Sequence, residues 1–323
     1  MLIGNTELEL GLCLAPMAGY SDRAMRTVCR RFGSEYAVSE MISAKAVVFR
    51  DKKTHKLAEI SEDEGAVALQ IFGSEPSVMA EAAHLIEAGE PGFSAPAAID
   101  INMGCPVKKI FSNGEGSALM RSPELIEKIV GAVKSSVKIP ITVKLRLGVD
   151  KNHINVIECA LAAEAAGASA VCVHGRTRED MYSGVCDYEK IADVVDSLKI
   201  PVIANGDITD AATAVRVMSI TGARAIAIGR GAVGNPFIFS EIRAKMRGEE
   251  YTPPSLSVRV DAALSQLSEA VLNSGEEIAV REARKQIALY LSGFRGAAAV
   301  RARINTATTF EDCRAALMSA LEQ

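Results

Sequence analysis

The chain has 323 residues, a formal net charge of −4 at pH 7 and 49% hydrophobic residues, enough for one large buried core and a small appended domain. No apolar run approaches the roughly 18 residues that a membrane span requires, and the segment MLIGNTELELG carries acids where a signal peptide would carry basic residues. The seven cysteines lie at least 13 residues apart, which argues against a disulfide framework and excludes a Cys-x-x-Cys site. We therefore predict a cytoplasmic protein without a metal site and without membrane association.

Short apolar runs that end in polar or glycine residues alternate with helical patterns over the first 250 residues. They predict strands at 12–15, 36–39, 66–71, 98–102, 141–145, 170–174, 201–204 and 225–228. Helices are predicted at 22–31, 75–88, 123–137, 154–166, 188–198, 209–221 and 236–247, while the segment after the second strand is ambiguous. Eight strand-then-helix units in about 250 residues predict an α/β fold, the (β/α)₈ TIM barrel. The alternative is a doubly wound sheet, which usually stops at five to seven strands.

Only helical periodicity continues after the Tyr-Thr-Pro-Pro segment at 251–254. We therefore predict a TIM-barrel domain at 1–250 and a small all-helical domain at 255–323. The segment 281–303 holds six basic residues against one acid. The spacing of Arg281, Arg284 and Lys285 places three cations on one helix face, which is either a solvated face or a nucleic-acid contact.

The strand predicted at 98–102 leads into a Gly-Cys-Pro turn that carries Cys105. Strand alternation places Asp100 and Asn102 on one face and apolar side chains on the other. A structural cysteine normally lies among apolar neighbours, whereas this thiol lies where the chain leaves a strand and where catalytic residues tend to lie. Cys105 is therefore the first candidate for a catalytic residue.

The same alternation places Lys144, Arg146 and His174 on the inner side of the barrel. A buried Lys144 without a partner would cost several kcal/mol. Two interpretations follow: a salt bridge to Asp100 or Asp207, and an anionic cofactor over the mouth of the barrel.

The motif Gly-x-Gly-x-x-Gly at 229–234 is typical of dinucleotide-binding folds when a second strand follows it. Here a helix and a Pro-Pro segment follow, so we do not interpret it as a dinucleotide fold. Its place after the eighth strand fits the phosphate-binding loops of barrels, which follow strands 7 and 8. With the loop at 204–207 it predicts a phosphate-bearing cofactor.

Taken in order, the chain resembles the dihydrouridine synthase family, nearest its bacterial B subfamily. The resemblance rests on APMAGYSDRAMR, SEMISAK, LQIFGSEP, DINMGCP, GSALM, VKLRLG, VHGRTR, PVIANGDI, IGRGAVGNPFIF and REARKQIALYL, of which DINMGCP followed by GSALM is the most specific. It implies an FMN-dependent oxidoreductase that reduces the C5=C6 bond of uridine in the D loop of tRNA. The implied electron donor is NADPH, with NADH as the alternative, and the implied partner is tRNA. Hydride would pass from flavin N5 to C6 and a proton from Cys105 to C5, and we expect a monomer.

The resemblance also implies roles for individual residues. The cofactor-binding residues would be Pro16, Met17, Ala18, Gln70, Lys144, His174, Asn205, Gly206, Asp207, Gly229 and Arg230. Asn102, on the inner face beside Cys105, would contact the uracil edge. Arg146 and Arg176 would contact the base or its phosphate, and Arg281, Arg284 and Lys285 the RNA backbone. Two features depart from the family pattern: the segment 90–96 is longer, and Cys186 stands where a small residue is common.

Two other functions fit part of these observations. One is another FMN TIM-barrel oxidoreductase that reduces a free pyrimidine, for which the basic helical segment has no evident use. The other is a flavin-containing tRNA-binding protein without turnover, against which Cys105 and Lys144 speak.

Overall fold

The computed structural model describes residues 1–90 and 93–322, with only the backbone at 52 and 53. Eight parallel strands close into a barrel in the order β2-β1-β8-β7-β6-β5-β4-β3, and β2 also pairs with β3. They are β1 (Leu12–Leu14), β2 (Tyr36–Val38), β3 (Ala66–Phe72), β4 (Ala98–Asn102), β5 (Ile141–Leu145), β6 (Ala170–His174), β7 (Val202–Asn205) and β8 (Ala225–Ile228). The TIM-barrel prediction is thus confirmed, the doubly wound alternative is wrong, and each strand end lies within one residue of its predicted position.

Helices surround the barrel as the alternating pattern predicts. They are α1 (Arg23–Arg31), α2 (Ala44–Val48), α3 (Lys52–Leu57), α4 (Pro76–Glu87), α5 (Lys108–Ser112), α6 (Pro123–Ser136), α7 (Val156–Ala165), α8 (Tyr188–Ser197), α9 (Ala211–Thr221) and α10 (Ile238–Arg247). All seven predicted helices are present, as α1, α4 and α6–α10. The ambiguous segment after β2 holds α2, α3 and the short strand Ile42–Ser43, which pairs with β3.

Alternation along the strands separates two apolar cores. Outward side chains such as Ile101, Val143 and Val171 pack against the surrounding helices. Inward side chains near the amino ends of the strands are mostly small, and Ile3 and Leu8 from the N-terminal segment join them. Ile3 and Leu8 fill the space that the small inward residues leave, and the inward residues that line the cavity, among them Asn102, Lys144 and His174, lie toward the carboxyl ends of the strands.

The C-terminal part consists of α11 (Leu256–Ser274), α12 (Glu276–Ile287), the 3₁₀ turn Ala288–Leu291, α13 (Ala297–Thr306) and α14 (Phe310–Met318). These helices form an apolar cluster that also includes Phe237. The ring of Phe237 packs edge-on against Phe32, at 4.5 Å between centroids, so the cluster continues onto the barrel beside α1 and α10. The boundary between 250 and 255 stays a prediction.

The longer segment at 90–96 is described only in part, because residues 91 and 92 lie outside the described residues. Phe93 is buried, and Ser94 Oγ donates to the carbonyl of Ile60 at 3.0 Å. In the described part of the chain, no helix is both long enough and apolar enough to cross a bilayer.

Candidate active site

A cavity of about 830 Å³ opens at the carboxyl ends of the barrel strands. This volume lies within the roughly 300–1,000 Å³ of small-molecule and cofactor sites. All eleven residues predicted to hold the cofactor line it: Pro16, Met17, Ala18, Gln70, Lys144, His174, Asn205, Gly206, Asp207, Gly229 and Arg230. Cys105, Asn102 and Arg146 line it as well. The fold therefore brings together these residues from seven of the eight strand ends, all but that of β2.

The turn that carries Cys105 is held at both sides. Strand β4 ends at Asn102, whose Oδ1 accepts hydrogen bonds from the backbone N–H of Gly104 at 3.2 Å and of Cys105 at 2.9 Å. The carbonyl of Cys105 accepts from Ser117 Oγ at 2.8 Å and from the Ser117 N–H at 3.1 Å. These bonds fix the position of the thiol relative to the barrel, as a proton donor requires.

Burial raises the pKa of the Cys105 thiol, while the backbone N–H of Val107 and the nearby Arg146 guanidinium lower it to a smaller extent. The thiol therefore keeps its proton at neutral pH. A protonated side chain fixed at the wall of a cavity can act as a general acid. The structure thus gives Cys105 the protonation state that its predicted role needs.

A hydrogen-bonded chain supports Asn102 from inside the barrel. Asp100 accepts from Thr142 Oγ1 at 2.5 Å and from Gln70 Nε2 at 2.7 Å. Gln70 Oε1 in turn accepts from Asn102 Nδ2 at 2.8 Å. Burial raises the pKa of Asp100, whereas the hydrogen bonds from Thr142 and Gln70 and the charge of Lys144 lower it to a smaller extent. The chain fixes the amide orientations of Gln70 and Asn102 at the cavity wall.

Lys144 lies on β5 between Asn102 and Cys172 in the parallel register. Its ammonium forms no hydrogen bond or ion pair with any other residue that the structure describes, so neither predicted salt bridge is present. Burial lowers its pKa and Arg146 lowers it further, whereas Cys172 and Asp100 oppose this shift. A cation that lines a cavity in this way favours an anionic ligand there.

His174 is a neutral imidazole in this site. Burial lowers its pKa far below the ordinary value, and Lys144, Arg146, Arg176 and Arg230 lower it further. Its Nε2 lies 3.4 Å from Arg176 Nη1. Because a guanidinium only donates, Nε2 is the acceptor and the proton lies on Nδ1.

Arg176 and Arg146 hold the loop that follows β6. Arg176 donates to both carboxylate oxygens of Asp207, at 2.9 and 2.7 Å, and to the carbonyls of Ser183 and Gly184 at 2.9 and 2.7 Å. It is buried and does not line the cavity, so its predicted substrate contact stays a prediction.

Arg146 does line the cavity, and its donors reach the same loop. It bonds the carbonyl of Gly104 at 2.9 Å and those of Thr177 and Met181 at 2.8 and 3.0 Å. Arg146 therefore joins the turn after β4 to the loop after β6, beside the thiol.

The three cations predicted on α12 do not line the cavity, and their side chains diverge. Arg281 is exposed, and Arg284 donates to the carbonyl of Ala307. Lys285 reaches the barrel, where its Nζ lies 4.7 Å from the centroid of the Tyr20 ring. Their predicted contact with RNA stays a prediction.

Two cavity residues, Tyr182 and Leu289, were not among the predicted site residues, and Cys186 lies outside the cavity. Tyr182 lies beside two guanidinium groups, 5.8 Å from Arg146 and 4.9 Å from Arg230. Leu289 reaches the cavity from the helical part, which no local pattern indicates. Cys186 is buried outside the cavity, where its Sγ accepts from Arg176 at 2.9 Å. Motif spacing could have indicated only Tyr182, because it lies between two residue blocks of the resemblance.

The fold and this cavity define a (β/α)₈-barrel protein whose site lies at the carboxyl ends of the strands, as in enzymes of that fold. Residues 13–323 match the family model described as "Dihydrouridine synthase (Dus)". The chain is 42% identical to "tRNA-dihydrouridine synthase B" of Pseudomonas aeruginosa over 306 residues, which cover 94% of this chain and 90% of that protein. It is 42% identical to "Probable tRNA-dihydrouridine synthase" of Rickettsia conorii, over 94% of this chain and 91% of that protein.

The chain therefore belongs to the dihydrouridine synthase family. Among solved structures it resembles histamine dehydrogenase from Rhizobium sp. 4-9, with a TM-score of 0.58 and 12% identity over 88% of this chain and 50% of that one. At that identity the likeness extends to the barrel fold. Family membership supports an oxidoreductase.

Proposed function

We propose that this chain reduces the C5=C6 bond of uridine in tRNA to give dihydrouridine, with FMN in the barrel cavity and NADPH as the electron donor. One observation carries the proposal: the protonated thiol of Cys105 and the unpaired ammonium of Lys144 line the same cavity as the glycine-rich ends of β7 and β8. The names of the relatives, which specify tRNA, agree with it.

The strand ends fit the phosphate of FMN. Gly206 has φ +127°, and a Cβ on it would lie 2.9 Å from His174 Cδ2, so only glycine keeps this backbone in place. Arg230 contacts Asp207 at 3.3 Å and is mostly exposed at the cavity mouth, and this exposure lets its guanidinium reach an anion there. Backbone N–H groups and one arginine are the usual partners of a phosphate.

The interior fits an anionic ring system. When bound and reduced, FMN supplies the hydride that adds to C6 of the uracil. Lys144 neutralises negative charge next to it, and that charge in turn offsets the cost of burying the ammonium. Gln70, held by Asp100, presents an amide with a fixed orientation to the same wall.

Cys105 supplies the proton that completes the reduction. Hydride addition at C6 leaves an electron pair at C5, which takes the thiol proton and leaves a thiolate. The charge of Arg146, which lowers the pKa of the thiol, stabilises that thiolate until solvent returns the proton. Asn102 holds the backbone of Cys105 and lies on the cavity wall, where we propose that it contacts the uracil edge.

The substrate base is stacked in folded RNA, so it must be extruded into the cavity before it can react. We propose that residues 1–250 form the catalytic domain and residues 255–323 an RNA-binding domain that uses Arg281, Arg284 and Lys285. We further propose that the protein acts as a monomer in a reducing cytoplasm, where its cysteines stay free.

The test is the dihydrouridine content of tRNA, measured by nucleoside mass spectrometry, in cells with and without the gene. We expect loss of the modified nucleoside at defined positions and its return with the wild-type gene but not with Cys105→Ala. In cells that have no related enzyme, an unchanged dihydrouridine content of tRNA would overturn the proposal. Turnover of a free pyrimidine by the purified protein, with none on tRNA, would establish the alternative oxidoreductase instead.

A further inference from the structure

We propose that a cation patch beside the catalytic turn binds the phosphates of the RNA next to the target uridine. The patch consists of Lys108 and Lys109 on α5, Arg121 at the end of the 3₁₀ turn Gly116–Arg121, and Arg178 in the loop after β6. It lies on the barrel and is separate from the cations of α12. This inference rests on the proposed function, since it names the surface that would contact the same tRNA.

Two arginines of the patch share one aromatic ring. The guanidinium carbon of Arg121 lies 4.4 Å from the centroid of the Phe111 ring, and that of Arg178 lies 4.2 Å from it. The two like charges are therefore within about 10 Å of each other, the Debye length at 0.1 M salt. Holding them together costs free energy, which an anion bound nearby would offset.

No acid within the described residues neutralises this patch. Lys108, Lys109, Arg121 and Arg178 take no part in the ion pairs of the described chain, and neither arginine side chain donates a hydrogen bond there. Arg146, by contrast, donates to three carbonyl oxygens. Donors without acceptors at a surface are available to a ligand.

Two acids near the patch have other surroundings. Asp180 accepts from the hydroxyl of Thr177 at 2.7 Å and from its N–H at 3.1 Å. Glu115 is buried, which raises its pKa, and the charges that also act on this pKa are those of Lys45 and Glu75. Neither carboxylate forms an ion pair with a cation of the patch.

The patch is rigidly joined to the reacting group. Helix α5 begins three residues after Cys105, and Val107 between them lines the cavity. Ser117, at the start of the 3₁₀ turn that ends at Arg121, holds the carbonyl of Cys105 through its Oγ at 2.8 Å. A phosphate bound here would belong to a nucleotide adjacent to the base in the cavity. RNA fits this surface because unpaired Lys and Arg groups recognise phosphate charge without reading sequence.

The test compares tRNA binding by two charge-matched double variants. Lys108→Ala with Lys109→Ala removes two charges from the patch, and Lys134→Ala with Lys138→Ala removes two exposed charges near the amino ends of the strands. Binding of an unmodified tRNA transcript is measured at several salt concentrations. If each lysine neutralises one phosphate, the patch variant flattens the slope of log K against log salt by about 1.4–1.8 and weakens binding roughly tenfold or more at 0.1 M salt. Arg121→Ala serves as an independent second variant.

Equal affinities and slopes for the patch variants and the Lys134 and Lys138 control overturn the proposal. If the wild type is active, we expect the patch variant to have a higher KM for tRNA. Its kcat and flavin content should stay unchanged, because the cavity is untouched. If the wild type binds tRNA through the patch but forms no dihydrouridine, the proposed reduction fails while the patch stands. Binding and turnover therefore test the two proposals separately.

Discussion

The side-chain oxygen of Asn102 accepts the backbone N–H of Cys105 at 2.9 Å, so the last residue of β4 fixes the turn that carries the thiol. The amide nitrogen of Asn102 is held in turn by Gln70, and Gln70 by Asp100. The hydrogen-bonded chain that holds the Cys105 backbone therefore begins at a buried carboxylate inside the barrel.

Asn102→Ala tests this relationship. The change leaves the N–H groups of Gly104 and Cys105 and the Oε1 of Gln70 without their partners, which costs about 1–3 kcal/mol for each group that stays buried. We expect a lower melting temperature and a fall in the rate of uridine reduction. Reduction of bound flavin by NADPH in the same preparation is the control, since the proposed mechanism does not use the thiol in that step. Wild-type turnover would contradict the role of Asn102.

Cys105→Ala separates proton donation from hydride transfer. We expect the variant to bind FMN and to accept electrons from NADPH at the wild-type rate. Dihydrouridine formation in single turnover should fall by roughly 10²–10⁴, the usual effect of losing a general acid. Cys159→Ala, a buried thiol on α7, is the matched control. Near-normal product formation by Cys105→Ala would remove the thiol from the mechanism.

The outline of this site could be predicted from the sequence because strand alternation is local. Asp100, Asn102, Lys144 and His174 point inward as the two-residue period requires, and the chemistry follows from their types. Leu289 could not be predicted, because it reaches the cavity through the packing of a distant helical segment. The inward Ile3 also gave no signal, since it lies in a strand of two residues, Leu2–Ile3, too short for a period to show.

The partners of Arg176 could not be predicted for a different reason. Its spacing after β6 indicates only that it lies at the cavity end of the barrel. The bidentate contact with Asp207 and the bonds to Ser183 and Gly184 depend on the path of an irregular loop, which has no periodicity. Arginines at such positions are as easily structural as functional.

Lys144→Met tests the cofactor. The wild-type protein should be yellow and release FMN, not FAD, on denaturation. Methionine keeps the length of the side chain but removes the charge, so we expect FMN affinity to fall by roughly 10- to 100-fold, the value of a charge-assisted contact. Fluorescence titration of the apoprotein measures this. Lys134→Met on α6 is the control, and equal affinities would contradict an anionic ligand beside Lys144.

The neutral state of His174 predicts how stability depends on pH. Its pKa in the folded protein lies far below the unfolded value of about 6.5, so below that pH only the unfolded chain binds the proton. Above about pH 6.5 the ionisation of this residue does not lower the free energy of unfolding. At pH 5 it lowers the free energy of unfolding by about 2 kcal/mol. Denaturant unfolding at pH 7.5 and pH 5 should show a smaller loss for His174→Gln than for the wild type. His84→Gln, exposed on α4, should behave as the wild type does; an equal loss in all three proteins would show that His174 is protonated in the fold.

The cations of α12 provide the last prediction. If Arg281, Arg284 and Lys285 contact RNA phosphates, their joint replacement by alanine should weaken tRNA binding almost uniformly across sequences. The slope of log K against log salt should flatten by about 0.7–0.9 for each lost contact. Arg284→Ala also removes a hydrogen bond to Ala307, so Arg281→Ala alone is the cleaner variant.

Arg314→Ala is the matched control for Arg281→Ala, because it removes one exposed arginine from the same group of helices and its partner is Glu311. Flavin content and flavin reduction by NADPH should stay unchanged in every variant, since these residues do not line the cavity. Lys285→Ala is expected to act more strongly than Arg281→Ala, because Lys285 lies over the ring of Tyr20, which lines the cavity. An unchanged affinity and salt slope for all three single variants would show that this face is only solvated, and would leave RNA docking to the barrel surface beside Cys105.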